Sequence, residues 1–288
     1  MVGLSKRLFN LNKPANSLME VHMEQTIQKA KAVASKIIVE AGKIAKEQFG
    51  KVLSIEEKGD HGDVVTEADY LAEKVIINEL NRAFPDHQIQ SEEAGNNGVE
   101  SDWVWHVDPL DGTNNFAMGL PVFASSIALL YKDQPVLGVI YDPFLDRLFV
   151  SSLNEGSFCN GQSIELKKRD NVKRFTIGWI QGHGVQNEEQ AVKLRQHIDV
   201  NCKRMIRLWA PTLAWAMLAK GDIDAIILYN SEGEDLYSGL LMVKEAGGAV
   251  LDFSGEEFQT VSGTPYFIAC HPEHKDYVME LVHKGLNE

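Results

Sequence analysis

The sequence predicts an α+β layered sandwich. Long stretches place apolar residues at three- and four-residue spacing, as helices do. Other stretches alternate or are wholly apolar and are separated by short turns, as in an antiparallel meander. The two kinds follow one another in mixed order, which suits stacked layers of helices and sheets.

The elements follow in chain order. Met23 to Phe49 is helical, with Ile27, Ala30, Val33, Ile37 and Ala41 on one face and Gly50 at its end. Val52 to Glu57 alternates and forms half of a hairpin. Lys58 to Asp63 is polar and glycine-rich, and reads as a mobile loop. Asp63 to Asp69 opens a second helix, in which Thr66 and Asp69 fit a capping box, and Pro85 ends it. His87 to Gln90 is a short strand leading to Glu92 and Glu93. Phe123 to Tyr131, Pro135 to Asp142 and Arg147 to Ser152 are three meander strands, and Asn160-Gly161 makes another turn. Phe175 to Ile180 is a strand, Glu188 to Ile198 a helix, Pro211 to Ala219 an apolar helix and Ile223 to Tyr229 a buried strand. An acidic loop, Ser231 to Asp235, precedes a helix closed by Gly247-Gly248. Two late strands, Ala249 to Phe253 and Tyr266 to Ala269, and a helix from Asp276 to Lys284 complete the chain. Residues 1–20 are expected to be a tail or extension, 21–153 a half holding most of the acidic residues, and 154–288 a half that covers them and adds Asp235.

The chain is organised around Trp105 to Phe116. Trp103, Val104, Trp105 and Val107 read as a buried strand, which Pro109 should end. Asp108 then sits at the strand end, and Asp111 returns towards it on an Asp-Gly turn. Converging carboxylates repel one another, and burial adds to the cost. A bound divalent cation removes that penalty. Gly112, Thr113 and Asn114 can supply N–H groups and a hydroxyl to a phosphate. Asp69, Glu92 and Asp235 each stand at a helix start or strand end, so the acids come from separate segments. Hard oxygen donors without a matching His/Cys set favour Mg²⁺ or Mn²⁺ over zinc. Two such ions about 3.5–4 Å apart can drive an in-line displacement at phosphorus.

Lys and Arg number 28 against 41 Asp and Glu, a net charge of −13. That balance argues against nucleic acid as the main partner, while a bound cation still permits an anionic substrate. Cys159, Cys202 and Cys270 are few and scattered, which suits reduced thiols and a cytoplasmic protein. No apolar run reaches the ~18 residues of a membrane span, and no signal peptide is expected.

In Asp63-Val-Val-Thr-Glu-Ala-Asp69, Glu92-Glu93, Asp108-Pro-Leu-Asp-Gly-Thr-Asn-Asn-Phe116, Gly156-Ser-Phe-Cys-Asn-Gly161, Asp235-Leu-Tyr-Ser-Gly239 and Glu245-Ala-Gly-Gly248, the sequence resembles the inositol monophosphatase family of magnesium-dependent, lithium-sensitive phosphomonoesterases. The resemblance runs from about residue 25 to 280. It implies a five-layer αβαβα sandwich of the inositol monophosphatase and fructose-1,6-bisphosphatase type, commonly a homodimer, acting on a small phosphorylated substrate with two or three Mg²⁺ per site, Mn²⁺ being a substitute. It implies that Glu92, Asp108 and the Leu110 carbonyl hold one metal, and that Asp108, Asp111 and Asp235 hold the second. Asp69, Thr113 and Glu92 would be catalytic, with Thr113 activating the attacking water. Gly112, Thr113 and Asn114 would bind phosphate, and Ala210, Thr212 and Asp235 would contact the rest of the substrate. Lys58 and Asp63 would lie on the mobile loop over the site and help a third, weaker metal.

Some positions depart from the family pattern. Glu234 replaces a usual tryptophan, Ser91 a usual glycine, and Trp209-Ala-Pro-Thr212 a small Gly-Ser/Thr-Ala segment. The substrate expectation therefore stays open among inositol 1-phosphate, NADP, fructose 1,6-bisphosphate, phosphoadenosine phosphate and histidinol phosphate. A non-catalytic phosphate-binding module is the remote alternative. The plainer readings are that Glu93 and His61 are solvated, that His106 is a hydrogen-bonded core residue, and that Trp209 and Trp215 are core.

Overall fold

The computed structural model describes residues 17–51, 54–58, 63–231, 233–258 and 266–287. Helix α1 (Ser17–Gln48) leads to a hairpin of β1 (Ile55–Lys58) and β2 (Asp63–Thr66). Helix α2 (Glu67–Ala83) follows, then β3 (Gln88–Ser91), β4 (Gly95–Asn96) and β5 (Trp103–Asp111). The short helix α3 (Thr113–Ala117) precedes the meander of β6 (Ala124–Tyr131), β7 (Gln134–Asp142), β8 (Arg147–Ser152), β9 (Gly156–Cys159) and β10 (Gln162–Ile164). Next come β11 (Thr176–Gln181), α4 (Glu189–Asn201), β12 (Arg204–Ile206), α5 (Pro211–Ala219), β13 (Ala225–Tyr229), α6 (Leu236–Glu245), β14 (Ala249–Asp252), β15 (Tyr266–Cys270) and α7 (Lys275–Asn287).

Among the described residues the strands form two large sheets. The first is eight-stranded, in the order β10-β9-β8-β7-β6-β5-β3-β4, and the second five-stranded, in the order β12-β11-β13-β15-β14. In the first sheet only β3 and β5 run parallel; in the second, β11 runs parallel to both β12 and β13. Helices α1 and α2 cover one face of the first sheet. Ile37, Ile38, Ile76 and Leu80 pack there on Trp105, Ile127 and Val139. Burying each of these aliphatic side chains contributes roughly 1.5–3 kcal/mol. Its other face meets α5 and α6, which also meet the second sheet: Ile140 and Phe149 share a core with Trp215, Leu240, Ile226 and Phe267. Helices α4 and α7 close the far side through Leu194, Ile198, Val278 and Val282. The layers are αβαβα, as the sequence led us to expect.

The structure differs from the sequence reading at particular places. Helix α1 begins at Ser17, inside the segment expected to be a tail, because neither glycine nor proline stops it there. Residues 1–16 lie outside the described residues, as do 59–62 of the expected mobile loop and His61. Asp63 to Thr66 is a strand, not the first turn of α2: it pairs residue by residue with β1. Lys58 and Asp63, expected on that loop, close the ladder as partners in β1 and β2. Strand β5 passes through Pro109 to Asp111, because the β5–β6 register shifts between Asp108 and Asp111, and a bulge frees proline from a ladder bond. The expected division at residues 153 and 154 falls inside the first sheet, since the hairpin of β9 and β10 extends the meander. Strand β12 is too short for periodicity to show. His106 is no hydrogen-bonded core residue: its Nδ1 is buried without a partner, and burial lowers its pKa to about 4. No described helix is long and apolar enough to cross a membrane.

The middle layer tolerates no extra atoms at Gly239 of α6. A Cβ there would lie 2.2 Å from the fully buried ring of Trp215 in α5. Gly239→Ala is expected to destabilise the protein by about 2 kcal/mol, measured as a lower denaturant midpoint at unchanged slope.

Candidate active site

The bulge that ends β5 sets the site. Asp108 and Asp111 flank it and are each 5 % exposed. The Leu110 N–H donates to Asp108 Oδ1 at 3.0 Å. Asp111 Oδ2 accepts the Thr212 N–H at 2.7 Å, and the Thr212 hydroxyl donates to the same oxygen. Gly112 turns the chain with φ +98°, where a Cβ would meet the Val122 carbonyl at 2.9 Å. Only glycine satisfies both conditions, and its turn lets α3 start at Thr113. The Asn115 amide then ties α3 to the carbonyls of Val122 at 2.8 Å and Leu208 at 2.7 Å, joining the turn to the segment before α5.

Asp69 enters from α2. Thr66 is the N-cap, its side chain accepting the Ala68 N–H and its own N–H donating to Asp69 Oδ2 at 2.9 Å. The Thr66 hydroxyl also donates to Oδ2 at 2.6 Å. Asp69 Oδ1 is left for the Thr113 hydroxyl, at 2.9 Å. The Leu110 carbonyl stands at the same distance from that hydroxyl, so it can accept the single proton instead. Burial pushes Asp69 up to about 6, against the hydrogen bonds from Thr66 and Thr113 that favour its charged form.

Glu92 and Glu93 follow β3. Glu73, one turn beyond Asp69 on α2, fixes their turn: its Oε1 accepts the Ser91 hydroxyl at 2.5 Å and the N–H groups of Glu93 at 3.1 Å and Ala94 at 2.9 Å. Lys58 donates to Glu92 at 2.9 Å and also to Glu93. Burial pulls the Lys58 ammonium down in pKa, but the Glu92 charge and the bonds to both glutamates outweigh it and hold it above its ordinary value. The Glu93 side chain is only 5 % exposed, so it is not the solvated residue that the sequence suggested, and burial raises its carboxyl to about 7.

Asp235 occupies the N-cap position of α6, yet its side chain makes no capping bond. Its backbone is held instead: the Ser238 hydroxyl lies 3.1 Å from the Asp235 carbonyl and 2.7 Å from Ser126 Oγ of β6. The carboxylate faces the others. Burial pushes it up to about 7, and Glu92 adds to the rise. Asp108 and Asp111 are raised well above the ordinary range, by burial first; the charges of Glu92, Asp111 and Asp235 add for Asp108, and those of Asp235 and Glu92 for Asp111.

Glu92, Asp108, Leu110, Asp111, Gly112, Thr113, Asn114, Ala210 and Asp235 all line one cavity of about 300 Å³. Thr212, expected to contact substrate, is fully buried and absent from the lining, because its donors are turned onto Asp111. Asp69 sits behind Thr113 and is likewise off the wall. Trp209, expected in the core, forms part of the lining with φ +53°, whereas Trp215 is core. Sequence reasoning missed Glu73, although its four-residue spacing from Asp69 on one helix face was a signal. It also missed Gln181, His183 and Arg207, which line the cavity from the end of β11 and the stretch before α5.

The donor set suits a hard cation. Asp108, Asp111 and Asp235 are buried, and the charge of the more exposed Glu92 bears on all three; the acids outnumber the one histidine, His183, on the same cavity. Among the described residues, no three acids yet stand as a closed ligand cage. The Lys58 ammonium, 2.9 Å from Glu92, occupies one of the oxygens that a cation would need.

The comparisons agree with this layout. The sequence model of the inositol monophosphatase family matches residues 26–286. A fructose-1,6-bisphosphatase/inositol-1-monophosphatase from Aquifex aeolicus is 32 % identical over 90 % of this chain and 97 % of its own. A Nus factor SuhB from Pseudomonas aeruginosa is 34 % identical over 71 % and 77 %. Among solved structures, the extragenic suppressor protein suhB from Bartonella henselae superposes with a TM-score of 0.82 at 30 % identity, covering 88 % of this chain and 98 % of that one. A Thermotoga maritima IMPase gives 0.79 at 29 %, covering 88 % and 96 %. With its layered fold and a converging set of acids at the β5 bulge, the chain belongs to the inositol monophosphatase family, whose members are phosphatases acting on phosphoric monoesters.

Proposed function

We propose that the chain hydrolyses the phosphomonoester of a small sugar or polyol, such as inositol 1-phosphate, with Mg²⁺ as its resident cation and Mn²⁺ as a substitute. The observation that carries this reading is the meeting of Glu92, Asp108, Asp111 and Asp235 on the cavity that Thr113 also lines. The family is in general metal-dependent. Glu92, Asp108, Asp111, Asp235 and the Leu110 carbonyl would hold two or three ions, which supply charge neutralisation for the phosphoryl group and the leaving oxygen and acidify water. The cavity lies at the small end of ligand sites, which favours a sugar-sized substrate over NADP. Assembly as a homodimer and a cytoplasmic location belong to the same reading.

The chain's own residues account for the proton movements. When the Thr113 hydroxyl donates to Asp69, its lone pairs are free to accept from a water in the cavity. Asp69, raised towards neutrality and fixed by Thr66, takes up the proton as the water oxygen bonds to phosphorus. The bond from phosphorus to the ester oxygen breaks in line, and a proton from solvent completes the alcohol. Gly112, Thr113 and Asn114 present the start of α3 to the phosphate oxygens.

Asp108→Asn should abolish Mg²⁺-dependent phosphate release, and release that persists in the variant or in chelator would overturn the scheme. Thr113→Ala and Asp69→Asn should each lower kcat about 100-fold with little change in KM, and the double variant should be no slower than either, because the two act as one unit.

The same acids shape stability. Their folded pKa values are raised, so they favour the fold below about pH 4 and lose that contribution as pH climbs through about 6 to 7. His87 and His106, lowered to about 4, act in the opposite sense between pH 4 and their unfolded value near 6.5. From pH 6.5 to 8 the acids dominate. The thermal midpoint of the metal-free protein should therefore fall over that interval, and either saturating Mg²⁺ or Asp235→Asn should flatten the slope.

A further inference from the structure

Two buried carboxylates share one face of α2. Asp69 and Glu73 stand four residues apart, which sets them about 6 Å apart along the helix axis. They are 1 % and 5 % exposed. Like charges at this spacing disfavour a helix, and burial adds to the cost. Hydrogen-bond donors compensate each of them, and in both cases the donors lead to the cavity. Asp69 holds the hydroxyl of Thr113, which lines it. Glu73 holds the turn that carries Glu92, which also lines it.

That turn, Glu92 to Ala94, joins β3 to β4. A single oxygen of Glu73, Oε1, gathers three donors from it: the Ser91 hydroxyl at 2.5 Å, the Glu93 N–H at 3.1 Å and the Ala94 N–H at 2.9 Å. Consecutive backbone N–H groups converge in this way around an anion, and bonds to a charged acceptor are roughly twice as strong as neutral ones. Ser91 is itself 1 % exposed, and its hydroxyl is a donor that the glycine usual at this position lacks. The Glu92 N–H donates to the Val107 carbonyl at 3.0 Å, next to Asp108. The Glu92 backbone is therefore held from two directions, by the strand that carries Asp108 and by the helix that carries Asp69. Its side chain is freer: it is 30 % exposed and reaches Lys58 at 2.9 Å.

We propose that Glu73, together with Ser91, is a positioning residue for the cation site. It fixes the backbone of Glu92 beside Asp108, so that Glu92 passes from Lys58 to a divalent cation by side-chain rotation alone. The proposal rests on the metal-dependent reading above. One helix then serves the site twice: Asp69 acts through Thr113 on the reaction, and Glu73 acts through Glu92 on cation affinity. A loose turn would have to be ordered at the moment of binding, and that lost freedom would appear as weaker affinity.

The test is calorimetric titration of the metal-free full chain with Mn²⁺, without substrate, beside amide hydrogen exchange at Glu93 and Ala94. Glu73→Ala should raise the Kd for Mn²⁺ about tenfold or more and speed exchange at both amides. Glu73→Gln keeps an acceptor and should raise the Kd by less. Ser91→Ala removes one donor of the three and should raise it about threefold. In phosphate release, the Mg²⁺ concentration giving half-maximal rate should rise in parallel, with kcat at saturating Mg²⁺ close to wild type. A merely structural role would lower the thermal midpoint and leave the Kd of the folded protein unchanged, and that result would overturn the proposal. So would equal rises in Kd for the Ala and Gln variants with exchange at Glu93 and Ala94 unaltered, since charge and not the turn would then be responsible. If Glu73→Ala does not fold, Glu73→Gln and Ser91→Ala decide, and an unchanged Kd in both overturns it. Wild-type protein that binds Mn²⁺ but releases no phosphate from inositol 1-phosphate would overturn the phosphatase reading alone, because the comparison of Kd values still decides this one. Wild-type protein that binds no Mn²⁺ would overturn both.

Discussion

The mutual repulsion of buried carboxylates is the constraint on which the rest of the structure depends. Asp108, Asp111 and Asp235 are buried on one cavity, and burial with neighbouring carboxylate charge pushes each towards its neutral form. No isolated loop would hold such an arrangement, since the acids would swing apart into solvent. Here the first sheet and the helices packed on it pin them. The β5 bulge fixes two of them, α5 supplies the Thr212 donors to Asp111, and β6 reaches through Ser126 and Ser238 to the carbonyl of Asp235. On the proposed metal-dependent reading, the stability given up at this point would be recovered when a hard cation binds.

The central motif was legible in the sequence because its signals are local. Asp-Gly after an apolar run predicts a turn whatever the fold, and the Thr66 and Asp69 pair predicts a helix start at three-residue spacing. The apolar helix from Pro211 to Ala219 emerged with the predicted bounds for the same reason. Pro109 misled, because the rule that proline ends a central strand holds only where its nitrogen must donate, and the bulge removes that need. Thr212 misled in another way. Its place beside the cavity is readable, but the direction of its hydroxyl depends on Asp111, a hundred residues away in the chain. The wall of Gln181, Arg207 and Trp209 was illegible because its parts come from two segments brought together only by the parallel pairing of the second sheet.

The two sheets divide the labour. The first sheet and α2 supply Glu92, Asp108, Asp111 and the pair of Asp69 with Thr113. The second sheet and the segment leading into α5 supply Gln181, His183, Arg207 and Trp209 to the lining of the same cavity. Helices α5 and α6 lie between them and belong to one continuous core. Both groups meet on one cavity, and the middle layer joins them: Thr212 of α5 holds Asp111, and Asp235 stands at the start of α6.

Asp69 serves two structures at once. One of its oxygens completes the cap of α2, and the other holds the Thr113 hydroxyl. If Asp69 acts as proposed, fraying of the first turn of that helix would release the Thr113 hydroxyl and cost activity. Catalytic rate would then report local order: a protein with intact sheets and a loosened α2 would look native to a spectrometer and be silent in an assay.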